Sequence, residues 1–460
     1  MSAPKIVRLS GLASLALAAL PAVACAWPMP APNAPAPVVH VGPNDLDISF
    51  DDDVNEPLMI AGSEQTAYIK ITLGGFALPS NQRSPINLAL VLDRSGSMAG
   101  DKLEKAKEAA LMVLDRLQPD DIISVVTYDS EVEVLVPATK ANERELIRER
   151  ISALTPRGST ALFAGVTFGL EEVSKNLDAK HVNRIVLLSD GQANVGPSSP
   201  NELGQLGEAA GRQGISITTI GLGLGYNEDL MTQLAMRSDG NHAFAENAGD
   251  LASIFSHELG DILSVVARDV DVEISFDDGI TPVRALGRDA TITGHKARVS
   301  LSQLYAKQQK HVLFEVKVPP GTAGNKRSLA QVAVSYANLI SNKKGSKHGA
   351  VGVEFTKAPT QVAARENKVV MEAAIEAIAT DENRRAVALR DAGKLEAAEK
   401  ALKANSDYLA QQATRYKSER LQNYSKDNAA DADNLAPAKW EKTRKTMRAK
   451  QSKNATQQAW

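Results

Sequence analysis

Residues 86–92 form an apolar run broken only by Asn87, and the run ends directly on Asp93-Arg94-Ser95-Gly96-Ser97-Met98. Seven residues suit a buried strand and are too few for a helix. Beyond this loop the chain alternates in period. The pattern predicts a helix over 102–117, where Leu103, Ala106, Ala110, Val113 and Leu117 share one stripe. Strands are expected at 122–128 and 131–136, helices at 143–154 and 162–175, and a strand at 184–188. Two helix–strand pairs come next, 201–213 with 215–220 and 228–237 with 242–245, before a closing helix at 251–263. This alternation predicts an α/β unit over 85–263, a doubly wound and mostly parallel sheet. Such sheets place ligands at the C-terminal ends of their strands, which is where Asp93 to Ser97 stand.

The flanks differ in character. Short alternating runs at 67–73, 270–276, 311–318 and 331–336 read as strands with few helices between them. Segments 45–84 and 264–357 are therefore expected to form one β-sandwich into which the α/β unit is inserted. Residues 358–425 read as helical. Within them 386–402 resembles one tetratricopeptide-type hairpin, with Gly393 at the turn and Ala397 at the close-packing position. A plain helical pair has the same architecture. One unit cannot stand alone, so the hairpin is expected to pack on the sandwich. The tail, 426–460, carries Lys439, Lys442, Arg444, Lys445, Arg448, Lys450 and Lys453 against the single acid Glu441 within 439–453. Such a segment can meet anionic lipid or polyanionic sugar, but is more often a solvated, poorly ordered terminus.

At the other end, Lys5 and Arg8 precede a small, apolar stretch over 9–20, and small residues recur at 22–26. Residues 1–26 are expected to be an export signal. Cys25 is the only cysteine, so no internal disulfide forms. The tetrapeptide Ala22-Val23-Ala24-Cys25 resembles a lipobox, although Leu is usual where Ala22 stands. Lipidation of Cys25 and cleavage after Ala26 both remain open. Residues 27–44, rich in Pro and Ala, read as a tether. The expected location is exported: periplasmic, outer-membrane lipid-anchored or extracellular. No other stretch approaches the apolar length of a membrane span. The 460 residues allow two or three domains, and a formal net charge of -3 gives no reason to expect nucleic acid as a partner.

The loop after residue 92 offers one carboxylate and two hydroxyls, all hard oxygens of the kind Mg²⁺ prefers. Asp93-x-Ser95-x-Ser97 resembles the metal-ion-dependent adhesion site of von Willebrand factor A domains. Two further segments match that family in order. Arg157-Gly-Ser-Thr160-Ala-Leu162 is similar to the loop supplying a threonine, and Leu187-Leu-Ser-Asp190-Gly-Gln192 to the strand end supplying a second aspartate. Residues 220–230 resemble its glycine-rich turn. The resemblance implies a Rossmann-like fold and a divalent metal, Mg²⁺ with Mn²⁺ or Ca²⁺ as alternatives, held by Asp93, Ser95, Ser97, Thr160 and Asp190. It also implies an open coordination position that an Asp or Glu of a protein partner completes, and a last helix that shifts with affinity state. The split sandwich resembles inter-α-trypsin-inhibitor heavy chains and calcium-activated chloride-channel-like proteins; no pore-forming segment accompanies it here. The competing local reading is that Asp93 and the serines merely cap the next helix.

Other motifs carry less. His257-Glu258-Leu-Gly-Asp261 begins like a zinc-protease helix, but its fifth residue is Asp and not His, so it is read as the polar face of the closing helix. Asp51 to Asp53 read as a solvated loop. The glycines at 221–225 have the wrong spacing for a dinucleotide loop, and no Walker A lysine pattern or G-x-S-x-G elbow occurs. The expected function is a non-enzymatic, metal-dependent binding or adhesion module of the cell envelope. The alternatives are an envelope assembly or chaperone-like subunit, and a metal-dependent hydrolase.

Overall fold

The structure is a computed structural model that describes residues 46–79, 82–178 and 180–460. The expected export signal, Cys25 and the Pro/Ala-rich stretch 27–44 lie outside the described residues.

Three strands come first: β1 (Ser49–Val54), β2 (Leu58–Ile60) and β3 (Gln65–Gly74). The α/β unit then runs β4 (Ile86–Asp93), α1 (Asp101–Arg116), β5 (Ile122–Tyr128), β6 (Val132–Lys140), α2 (Arg144–Ser152), α3 (Leu162–Ser174) and β7 (Val182–Ser189). It continues through α4 (Pro200–Arg212), β8 (Ile215–Leu222), α5 (Glu228–Arg237), β9 (His242–Ala245) and α6 (Leu251–Leu263). Its sheet has the order β6-β5-β4-β7-β8-β9, parallel except for β6. This is the doubly wound, mostly parallel architecture expected.

Every residue of β4 is buried, as a central strand covered on both faces requires. Alternation divides its side chains. Leu88, Leu90 and Leu92 join Leu103, Ala106 and Val113 of α1 and Phe255 and Leu259 of α6 in one core. Ala89 and Val91 join Val166 of α3, Leu203 of α4 and Leu234 of α5 in the other.

Seven more strands come after α6: β10 (Val265–Phe276), β11 (Thr281–Leu286), β12 (Thr291–Thr293), β13 (Lys296–Tyr305), β14 (Gln309–Val318), β15 (Lys326–Asn338) and β16 (Lys343–Thr356). They complete a sandwich with sheets β1-β3-β14-β11 and β12-β13-β10-β15-β16-β2. Both sheets contain strands from before and after the insertion. Ile69 and Ile71 share one apolar core with Val272, Ile274, Val332 and Val334. Asp51 to Asp53 are not a loop: they pair with Thr72, Ile71 and Lys70 on edge strand β1. Their low strand propensity is tolerated because an edge strand benefits from charges that deter further pairing.

The chain ends in α7 (Pro359–Arg365), α8 (Lys368–Asp391), α9 (Leu395–Tyr416), α10 (Glu419–Asp433) and α11 (Pro437–Thr456). Gly393, at φ 77°, makes the turn between α8 and α9. Val370 and Ala374 of α8 pack on Leu286 and Leu313, which seats the helices on the sandwich. Ala397, expected at the close-packing position, is exposed, and Ala398 is buried instead. Helix α9 begins at Leu395, and its rotation turns the next alanine inward.

The basic tail is a correction. It is the ordered helix α11, docked on the α/β unit. Arg444 bonds to Asp229 at 2.6 Å and Asp391 at 2.8 Å and also pairs with Glu228, while Lys445 reaches Glu228 at 2.7 Å. Lys445 is 3% exposed. Lys442 pairs with Glu246, and Lys450 with Asp427. The charges of Arg444 and Lys445, engaged inside the fold, are not available to an anionic lipid or sugar. At the very end the Trp460 indole donates to Asp261 at 2.9 Å and stacks on His257. Among the described residues no helix is long and apolar enough to cross a membrane.

Candidate metal centre at the end of the central strand

Strand β4 delivers Asp93 to the C-terminal edge of its sheet, and the chain turns at once through Gly96–Met98 into α1. Two neighbouring loops close on this turn. Arg157 N–H donates to the Arg94 carbonyl at 2.8 Å, and Gly96 N–H to the Gly158 carbonyl at 3.0 Å. Asp129, at the end of β5, anchors the second loop: Arg94 and Arg157 donate to its carboxylate at 2.8 and 2.9 Å. Burial pushes Asp129 up, but Arg157, the Glu131 N–H and Arg94 outweigh it and hold the carboxyl below its usual range.

All five expected residues meet here. Asp93 accepts from the Ser95 N–H at 2.8 Å and from the Ser189 hydroxyl at 2.7 Å. The Ser95 and Ser97 hydroxyl oxygens lie 3.1 Å apart, and Ser97 donates to Asp190 Oδ1 at 2.7 Å. A Cβ on Gly191 would fall 3.1 Å from Thr160 Oγ1 and 3.5 Å from Ser97 Oγ, so these hydroxyls flank one point beside Asp190. Asp93, Ser95, Thr160 and Asp190 are buried, and Ser97 opens the cluster to solvent. Burial, with Asp190 adding like charge, pushes Asp93 up to about 6 against the hydrogen bonds from Ser95 and Ser189.

The donor set fits a small hard cation. Octahedral Mg²⁺ with oxygens at ~2.0–2.1 Å places adjacent ligands about 2.9 Å apart. The two serine oxygens are held at 3.1 Å. Every donor is oxygen, and only two of the five, Asp93 and Asp190, are carboxylates. The capping alternative is not what the serines do. Neither the Gly96–Met98 turn nor α1 receives a side-chain cap, and α1 begins after Gly100.

Apart from the glycine-rich turn that supplies Gly225, four participants escaped the sequence. Ser189 orients Asp93. Asn194 accepts from the Thr160 N–H at 2.8 Å and fixes that loop. Gln192 donates to the Gly225 carbonyl at 2.6 Å, and Gly225 approaches so closely that a Cβ would lie 2.6 Å from the Asp190 carbonyl oxygen. Lys102 Nζ contacts Asp190 Oδ2 at 2.5 Å. Lys102 alone left a signal: a lysine in a first helical turn opposes the helix dipole and needs a partner.

The segment resembling a zinc-protease helix has another place. Glu258 is 1% exposed and does not sit on a polar face. It accepts from Thr218 and Asn241, with Arg184 3.6 Å away. This network shares no residue with the metal centre.

Comparison with known proteins agrees with the fold. The family model for the von Willebrand factor type A domain matches residues 87–257. The uncharacterized protein YfbK of Escherichia coli (strain K12) is 26% identical over 264 residues, covering 54% of this chain and 46% of that protein. Human inter-alpha-trypsin inhibitor heavy chain H3 is 31% identical over 170 residues, 35% of this chain and 19% of that protein. The chain thus spans less than half the length of the curated relatives it matches. The solved von Willebrand factor type A structure from Catenulispora acidiphila superposes with a TM-score of 0.67 at 17% identity, over 83% of this chain and 91% of that one. That likeness is one of fold, and it extends over the sandwich as well as the inserted unit. Residues 87–257 are thus identified as a von Willebrand factor type A domain.

Proposed function

We propose that this A domain holds one divalent cation, Mg²⁺ by preference, through Asp93, Ser95, Ser97, Thr160 and Asp190, and uses it to capture an Asp or Glu of a protein partner. Domains of this family commonly mediate metal-dependent protein interactions. The observation that carries the reading here is the cluster of buried oxygen donors that converges on exposed Ser97 at the edge of the sheet. A bound cation would supply an electrophilic position for the incoming carboxylate. The chain's own residues do the rest. Asp93 and Asp190 orient the serines, Thr160 closes the site from the second loop, and the arginine-clamped Asp129 keeps that loop in place. Val195 and Leu224, exposed at 36% and 41% on loops after β7 and β8, offer apolar contact beside the site. A binding module of the cell envelope, not an enzyme, is the function proposed. The envelope location rests on the sequence of residues 1–26.

The test is thermal unfolding of the chain after EDTA, with Mg²⁺ restored, beside the Asp93→Ala and Ser95→Ala variants. A ligand at a hundred times its dissociation constant stabilises the native state by about 2.7 kcal/mol. A rise in melting temperature that both variants abolish supports the reading. No shift with millimolar Mg²⁺, Mn²⁺ or Ca²⁺ would refute it.

A further inference from the structure

The centre contains one charge beyond the five donors. Lys102 lies in the first turn of α1, between the acids Asp101 and Glu104. Acids suit the positive end of a helix and a lysine does not. Its ammonium is drawn there by Asp190, whose side chain is 0% exposed while that of Lys102 is 37% exposed. Ser97 occupies Asp190 Oδ1, and Lys102 takes Oδ2. The ammonium therefore sits at the rim of the site, against a buried carboxylate on one side and open to solvent on the other. Gly223 borders it without crowding: even a Cβ there would stand 3.9 Å from Nζ.

Charge counting gives the consequence. With Asp93 and Asp190 at -1 each and Lys102 at +1, the empty centre carries -1 and the centre with a divalent cation carries +1. Without Lys102 those values would be -2 and 0. We propose that Lys102 divides the binding energy of this site: it weakens the hold on the divalent cation and strengthens the hold of the loaded centre on a carboxylate. The inference rests on the metal reading above. A net positive centre with an exposed ammonium beside it attracts an anionic ligand more than a neutral one does. The same charge repels the cation on entry. Bare Coulomb attraction between unit charges ~4 Å apart at intermediate dielectric corresponds to roughly a thousandfold. Solvent access to Lys102 screens that, and about tenfold in each binding constant is the expected scale. The partner chemistry is correspondingly narrowed to an acidic side chain placed to meet cation and ammonium together.

The test compares the full chain with Lys102→Met, which keeps the stem and removes the charge, and Lys102→Arg, which keeps the charge. Mg²⁺ affinity is measured alone by calorimetry, then again with acetate replacing chloride at constant ionic strength. Carboxylate binding to the loaded centre shows as a tighter apparent Mg²⁺ constant. Lys102→Met should bind Mg²⁺ about tenfold more tightly and lose most of the acetate effect, while Lys102→Arg stays near the parent in both. Circular dichroism and melting in EDTA check that each variant folds. Equal or weaker Mg²⁺ binding by a folded Lys102→Met variant would overturn the inference and make Lys102 a prop for Asp190. A parent chain that binds no Mg²⁺ would overturn the metal reading itself, and that failure is distinct.

Discussion

Arg184, on β7, is wholly buried and joins three parts of the molecule. Its guanidinium donates to Gln303 and Tyr305 of β13, both at 2.8 Å, and to Thr218 of β8 at 3.3 Å. Glu258 of α6 is 3.6 Å away. Burial works against the charge, and Tyr305, Glu258 and Asp261 keep it on the arginine. Arg184→Met would remove the cation that faces Glu258 and leave that carboxylate, 1% exposed, with Asp261 as a like-charged neighbour. Asp261 already shows the strain of the place, since burial and Glu258 push it up to about 6. Stranding one member of a buried pair costs about 3–5 kcal/mol. Thr218 and Asn241 still donate to Glu258 and place the loss toward the lower end of that range. The decisive variant is the double one, Arg184→Met with Glu258→Gln. It removes both charges, so its cost should be smaller than that of Arg184→Met alone, about 1–2 kcal/mol. Urea unfolding midpoints of the parent, both single variants and the double variant measure the coupling directly. If the two single losses simply add, the buried pair does not couple β7 to α6 and the reasoning fails.

Three further outcomes are expected. Lys445→Met should cost about 2–3 kcal/mol, because Glu228 keeps Arg444 but the Tyr226 carbonyl loses its donor at 2.8 Å; limited proteolysis should then cut within α11 before any other helix. Gly225→Ala should weaken Mg²⁺ binding by about tenfold or more in calorimetry, since its Cβ would meet the Asp190 carbonyl oxygen at 2.6 Å and push that residue out of place. The third concerns pH. Burial lifts Asp431 from 3.8 to about 7, with Asn383 offsetting only part of the shift. Its folded pKa is thus above the unfolded one, so the folded chain retains a proton that the unfolded chain releases. The stabilising contribution is full below about pH 4 and declines as pH rises to about 7. Asp431→Asn should raise the melting temperature at pH 8 and flatten its slope between about pH 5 and 8; an unchanged slope would refute the assignment.

What could be read from the sequence, and what could not, divides along a physical line. The strand at 86–92 was legible because a buried parallel strand is apolar on both faces, and its ending on two hydroxyls and a carboxylate points to the edge of the sheet where the proposed metal site lies. The errors at Asp51 to Asp53, in the tail and at Glu258 all concern charge. Asp51 to Asp53 read as solvated loop, yet register with β3 makes them an edge strand. The basic tail read as disordered, yet its partners lie more than two hundred residues earlier, at Glu228 and Asp229. Glu258 read as surface, yet Arg184 waits for it inside. Periodicity reports which side chains leave water because they are apolar. It is silent on charged groups that leave water because another segment neutralises them. Lys102 is the instructive exception, since its conflict with the dipole of α1 is local and needs no knowledge of Asp190. A charge misplaced by local rules is therefore a signal to search for its partner. In this chain the partner is Asp190, one of the two carboxylates of the proposed metal site, which is why the lysine and a cation would compete for the same residue.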